Sequence, residues 1–182
     1  MTRTSKLSMT VAAAVLLAAW GQGDKSSSGL SLRPSERLQD MASEASEIIS
    51  WGEAMEEIKV TYSGKQALEV VLVAALICEG KTVCAEVQSR STSMRPGETR
   101  SAASMFGKSG LFEEGTLTGV NCCDGQASIG PEGISLKQAQ AAFGASSLRG
   151  HDVLVVAAVP AEGGLTISNP LAMFFAVIRK IG

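Results

Sequence analysis

Ala67-Leu68-Glu69-Val70-Val71-Leu72-Val73-Ala74-Ala75-Leu76-Ile77-Cys78 is an apolar run broken by a single charge near its start. Such a run suits a central strand buried on both faces or a buried helix. The β-branched Val70, Val71 and Val73 favour the strand. Glu79-Gly80-Lys81 follows as a turn, after which Val83, Ala85 and Val87 alternate with Cys84, Glu86 and Gln88. Together the two segments predict an antiparallel hairpin. A three-residue turn centred on Lys81 would set Cys78 opposite Cys84 on one side of it, which predicts a cross-strand disulfide.

Immediately upstream, Ile58, Val60 and Tyr62 alternate with Lys59, Thr61 and Ser63, the pattern of a half-buried strand that Ser63-Gly64 ends. Before it, Leu38, Met41, Ala42, Ala45, Ile48 and Ile49 recur at helical spacing from Ser35 to Ser50. Pro34 stands at the start, Glu36 complements the helix dipole, and Gly52 weakens continuation toward Ile58. Residues 89–115 are polar and turn-rich. They predict a long loop with at most one short strand, and Arg95-Pro96-Gly97-Glu98 has Pro and Gly where a type II turn requires them.

Farther along, Thr116 to Cys123 is strand-like and stopped by Asp124-Gly125, while Ser135 with Gln138 forms a capping box for a helix that carries Leu136, Ala139 and Phe143 and ends by Gly150. Asp152 to Val159 is a second buried-strand run, closed by Pro160 and Gly163-Gly164. Leu171 to Ile178 reads equally as a short terminal helix, with Asn169-Pro170 as its N-cap and N1, or as an edge-protected strand. The expected fold is one α+β domain over residues 33–182, with a mainly antiparallel or mixed sheet and two or three helices. A β-sandwich is the alternative.

The first residues carry a different message. Arg3 and Lys6 precede the apolar stretch from Thr10 to Ala19, and a polar Gly/Ser-rich segment follows, the tripartite pattern of a secretory signal over residues 1–21. The apolar stretch is about half the ~20 residues of a spanning helix, so no integral membrane span is expected once the signal is removed. Leu17-Ala18-Ala19-Trp20-Gly21 resembles the lipobox of bacterial lipoproteins, with Trp20 where that family has the cysteine that receives the lipid. An indole cannot be lipidated. Residues 22–32 resemble the flexible tether that follows a lipobox, and their composition suits a solvated linker.

Composition bounds the rest. In 182 residues, 45% are hydrophobic and only 19% charged, which describes a globular chain with a core of its own. A formal net charge of −2 and an aromatic content of 4% argue against nucleic-acid binding and against base-stacking platforms. Arg90, Arg95 and Arg100 lie in the polar loop and read as solvated surface, as do Glu56-Glu57 and Glu113-Glu114.

Four cysteines in an exported chain favour disulfides over zinc or free thiols. Cys78 with Cys84 is the best single pairing. Cys122 and Cys123 would then be left as neighbours, and the other arrangement links both to the hairpin. Cys-x-x-Cys is absent, so neither redox nor metal chemistry is expected, and no cofactor is implied. Ala102-Ala103-Ser104-Met105-Phe106-Gly107-Lys108-Ser109 matches a relaxed phosphate-loop pattern without the flanking strand and helix that give it meaning.

His151 is the sole histidine, in Arg149-Gly150-His151-Asp152, and no Gly-x-Ser-x-Gly elbow accompanies it. The expectation is an exported bacterial envelope protein, periplasmic or outer-membrane-associated. It would be a non-enzymatic binding or assembly module whose partner is another envelope protein. A small exported hydrolase using His151 is the alternative, and a small-ligand carrier would require a lined cavity.

Overall fold

The computed structural model describes residues 29–45, 47–79, 82–107, 110–124, 129–130, 133–134, 150–161 and 172–180. The expected signal over 1–21, the first part of the expected linker, the helix opened by Ser135 and the Asn169-Pro170 cap lie outside these residues.

The chain enters the fold as a strand, β1 (Leu30–Pro34), and Leu30 and Leu32 are fully buried. The expected linker over 22–32 therefore ends earlier than composition suggested, because alternating leucines at its end face a core. Next, α1 (Glu36–Glu44) is capped by the Ser35 hydroxyl, which accepts from the Leu38 N–H at 3.1 Å, and it stops at Ala45 in the left-handed region (φ 51°). The predicted helix to Ser50 is thus corrected. Ile48 and Ile49 are drawn instead into β2 (Ile48–Ser50), paired antiparallel with the strand β8 (Glu114–Asp124).

Helix α2 (Trp51–Glu57) starts at once, because Ser50 and Glu53 form a capping box: the Ser50 hydroxyl accepts from the Glu53 N–H, and the Glu53 carboxylate accepts from the Ser50 N–H at 3.0 Å. Those bonds from Ser50, backbone first and hydroxyl second, hold the Glu53 carboxyl below the usual carboxylate range. Gly52 sits inside this helix rather than ending one.

The expected half-buried strand is β3 (Ile58–Tyr62), with Ile58, Val60 and Tyr62 buried. It pairs antiparallel with β1 on one side and with β7 (Thr99–Ser101) on the other, making a three-stranded sheet. The predicted turn leads into β7: Gly97 has φ 79° and the Glu98 N–H donates to the Arg95 carbonyl at 3.0 Å. Arg100 donates to the Glu98 carboxylate beside it. The expected long loop thus contains more structure than predicted: β6 (Thr92–Met94), β7 and the single-turn α3 (Ala103–Phe106). Met105 and Phe106 are buried, so the described part of the phosphate-loop look-alike, residues 102–107, packs into the core.

The larger sheet is seven-stranded, in the order β2-β8-β12-β11-β4-β5, with β6 paired to β4. Its members are β4 (Leu68–Cys78), β5 (Thr82–Gln88), β11 (Asp152–Pro160) and β12 (Ala172–Lys180), besides β2, β6 and β8. A separate two-stranded ribbon joins β9 (Ile129–Gly130) to β10 (Gly133–Ile134). All described pairings are antiparallel. The domain is α+β, sheet-rich, with short helices.

One face of the large sheet presents Val70, Leu72, Ala74, Leu154, Val156, Ala158 and Phe174 to a core shared with α1, α2, α3 and the small sheet. Val73, Ala75, Val153, Val155 and Phe175, at alternate positions, are buried as well. Burial on both faces is why β4 and β11 read as unbroken apolar runs. From Ala172 to Ile178 the run is a strand, neither the terminal helix nor an edge, for β12 lies between β8 and β11.

Candidate functional site

The hairpin of β4 and β5 ends the large sheet, and its tip gathers the sequence-predicted chemistry. Cys78 and Cys84 are joined by a disulfide, with Cα atoms 5.8 Å apart. The register differs from the expected one. Cys78 faces Thr82, Leu76 faces Ala85 and Ile77 faces Val83, so Cys84 is the extra residue of a β-bulge. The bulge, not a directly opposed pair, brings Cys84 within bridging distance of Cys78.

Breaking this bridge is expected to cost about 2 kcal/mol, since the loop it closes is short and chain-entropy stabilisation grows slowly with loop length. Urea unfolding of a Cys78→Ala/Cys84→Ala variant checks this. A loss of only a few tenths would show that β-pairing alone fixes the tip.

Cys122 and Cys123 lie on β8, where they pair in register with Phe174 and Met173. Strands β12 and β11 separate β8 from β4. Three strand spacings of about 4.8 Å exceed the Cα separation a disulfide tolerates. The arrangement in which both link to the hairpin is therefore overturned; their own side chains lie outside the described residues.

Past Cys78, Glu79 takes a left-handed conformation (φ 51°), uncommon for a side chain of its type. Its N–H donates to Asp152 Oδ1 at 2.9 Å, and Asp152 is only 5% exposed. A carboxylate at the start of β11 thus clamps the tip of the hairpin. His151 precedes it and is half-buried, next to Gly150 (φ 72°). The structure brings His151 and Asp152 to the same end of the sheet as the disulfide. Among the described residues, no group of three His, Cys, Asp or Glu side chains is placed to hold a metal.

Beside the tip, an open cavity of about 880 Å³ is lined by Leu76, Cys78, Cys84 and Ala85 from the hairpin and by Leu111, Phe112, Glu113 and Glu114 from the segment entering β8. Aromatic packing holds that second wall. Phe112 meets the Trp51 ring edge-on at 5.9 Å between centroids, and Phe106 meets the same ring at 5.7 Å. Trp51 is itself fixed in the first turn of α2 by the capping box at Ser50. Glu113 and Glu114 are exposed at the rim, and no ion pair among the described residues includes either.

Strand β5 forms one margin of this cavity and one edge of the sheet. No described strand pairs with its outer side. Most of its residues are exposed, Val83 at 41%.

Sequence reasoning found the disulfide, and it named His151, which the structure places before Asp152 at the same end of the sheet. It missed Asp152, which looked like the first residue of an apolar strand, whereas Glu113-Glu114, read as solvated surface, are exposed. The available signal for Asp152 was a lone acid heading a run of eight apolar or small residues, which a buried strand tolerates only if the carboxylate has hydrogen-bond donors. The chain matches no family model, no curated protein and no solved structure.

Proposed function

We propose that the chain is an exported, non-enzymatic binding module of the bacterial envelope, and that it takes hold of another envelope protein by adding a strand of that partner to β5. The observation that carries this reading is the open edge of β5. A seven-residue strand whose outer side pairs with no described strand, beside a lined cavity, offers backbone donors and acceptors for affinity, and pockets for alternate side chains for specificity. Strand β5 carries a β-bulge at Cys84 and one charge, Glu86, but no lysine or proline along its edge. The disulfide at its tip suits an oxidising compartment, in keeping with the signal-like pattern of the first residues. No helix among the described residues is long and apolar enough to cross a membrane.

A photo-crosslinking amino acid at Val83, introduced into the full chain in a native host, tests the proposal. The expected result is a discrete adduct with one envelope protein, identified by mass spectrometry, that the same probe at the exposed Asp40 of α1 does not give. Absence of an adduct from Val83, or the same adducts from both positions, would overturn it. The mass of the purified chain reports the other half of the reading: a start near Gln22 or Asp24 is expected, and an uncleaved chain would refute export.

A further inference from the structure

We infer that the outer side of β5 takes an antiparallel strand in one register, with backbone hydrogen bonds to Glu86 and Gln88 and with a lysine or arginine of the incoming strand directly opposite Glu86. This rests on the reading that β5 accepts a strand, and it names where that strand docks and what it carries.

The phase of the β4–β5 ladder fixes the docking residues. Just past the end of β5, the Ser89 N–H donates to the Leu72 carbonyl at 2.8 Å. In an antiparallel pair, hydrogen-bonded positions alternate with non-bonded ones. Counted from that bond, Val87 opposite Ala74 and Ala85 opposite Leu76 direct their N–H and C=O groups toward β4. Glu86 and Gln88, opposite Ala75 and Val73, direct theirs outward. The bulge at Cys84 then interrupts the regular spacing, so a straight incoming strand loses register beyond Ala85. The regular stretch of this edge is thus Ala85–Gln88, and its outward residues are two.

Side chains follow the same alternation. Ala85 and Val87 are half-buried on the face of Leu76 and the cavity, whereas Glu86 and Gln88 are exposed on the other face. An incoming residue shares a face with the residue directly opposite, at about 5.5 Å between Cα atoms in a hydrogen-bonded pair. The residue opposite Glu86 therefore has that carboxylate as its immediate neighbour. Glu86 is the only charged residue of β5, and no ion pair among the described residues includes it. A cation opposite it pairs, and an acid meets like charge. The flanking residues of the incoming strand lie opposite Val87 and Ala85 and favour aliphatic side chains. Ala85, with Leu76 the floor of the cavity, is small and leaves room for a larger one.

Four acetylated, amidated pentapeptides test the register and the charge. The first reads threonine, valine, lysine, leucine, threonine, so that its lysine falls opposite Glu86 when its leucine lies opposite Ala85. In the second, glutamate replaces the lysine. The third and fourth are the first with a methyl group on the backbone nitrogen of the lysine or of the leucine. Each is titrated at low salt into the full, disulfide-bonded chain labelled with ¹⁵N, with shifts and exchange protection read at the amides of Thr82–Gln88. The lysine peptide is expected to bind about threefold or more tightly than the glutamate peptide, a preference that weakens with salt. It should protect the Glu86 and Gln88 amides, whereas those of Ala85 and Val87 are protected already in the free chain. Glu86→Gln is expected to erase the preference. Methylation at the lysine nitrogen, which donates to the Glu86 carbonyl, is expected to abolish binding, and methylation at the leucine nitrogen, which points away from β5, to leave it.

Equal affinity for the lysine and glutamate peptides, with β5 amides shifting in both, would overturn the charge selection and leave strand addition standing. A preference that survives Glu86→Gln would place the selecting charge elsewhere and likewise overturn it. Binding that tolerates the methyl group on lysine but not on leucine would overturn the register. If no peptide shifts the β5 amides, strand addition falls and this inference falls with it.

Discussion

Phe174→Ala is expected to lower the free energy of unfolding by about 3–5 kcal/mol, the largest effect of any single substitution considered for this chain. The ring is fully buried at the middle of β12, in register with Val156 on β11 and with Cys122 on β8, and it belongs to the core between the large sheet, the helices and the small sheet. Removing it takes away the transfer free energy of the ring and leaves a cavity whose cost depends on how far its surroundings can collapse. Collapse is limited here. The nearest residues of β12 on the same face are Ala172 and Ala176, too small to reach into the space, and the strand is held by partners on both sides. Urea unfolding of the disulfide-intact chain would show the loss as a lowered midpoint at unchanged slope. A loss below about 1 kcal/mol would mean that the ring does not sit in a closed core.

The same residue shows how far the fold was legible. Leu171 to Ile178 is apolar throughout, so it carries neither the period of 3.6 nor the period of 2 that separates helix from strand. Only pairing on both sides decides the matter, and pairing partners 14–26 residues away on β11 and 48–65 residues away on β8 leave no local trace. The runs headed by Ala67 and Asp152 were read correctly for an identifiable reason, since each carries four β-branched residues and each is closed by turn residues. Ile48 and Ile49 misled in the opposite sense. They extend the helical spacing of Leu38, Met41 and Ala45, yet Ser50 and Glu53 cap a new helix, and the two isoleucines between the helices pair with β8.

At the site, the Cys78–Cys84 bridge was foreseen from spacing, but the bulge that permits it was not. A bulge is a property of two strands together. Glu113 and Glu114 line the cavity because the fold sets them beside the hairpin, whose sequence lies about 30 residues earlier.

Asp152→Ala should be the next most damaging change, at about 2–3 kcal/mol, because it deletes a buried charged acceptor and leaves the Glu79 N–H without the partner that holds it. The damage should be concentrated at the hairpin tip. Glu79 keeps its left-handed conformation against an intrinsic cost, and the bond from its N–H to Asp152 is one of the contacts that meet that cost. With the acceptor gone, the Glu79 amide is expected to exchange with solvent far faster than the amides in the middle of β4 and β11, which stay in their ladders.

Two further variants separate this cause from a general loss of core packing. Asp152→Asn retains an acceptor at the same place and should be milder. Glu79→Gly, which adopts positive φ freely, should recover about 0.5–1 kcal/mol in the Asp152→Ala background. If the glycine restores nothing, or if the Glu79 amide stays protected without the carboxylate, then the tip is held by the disulfide and the bulge rather than by Asp152. The floor of the cavity would in that case owe its shape to the covalent bridge alone. If the glycine does restore stability, the edge proposed to receive a partner strand is fixed by two independent devices, a bridge within the hairpin and a carboxylate reaching it from the neighbouring strand. Such an edge would have little conformational entropy left to lose when a partner binds.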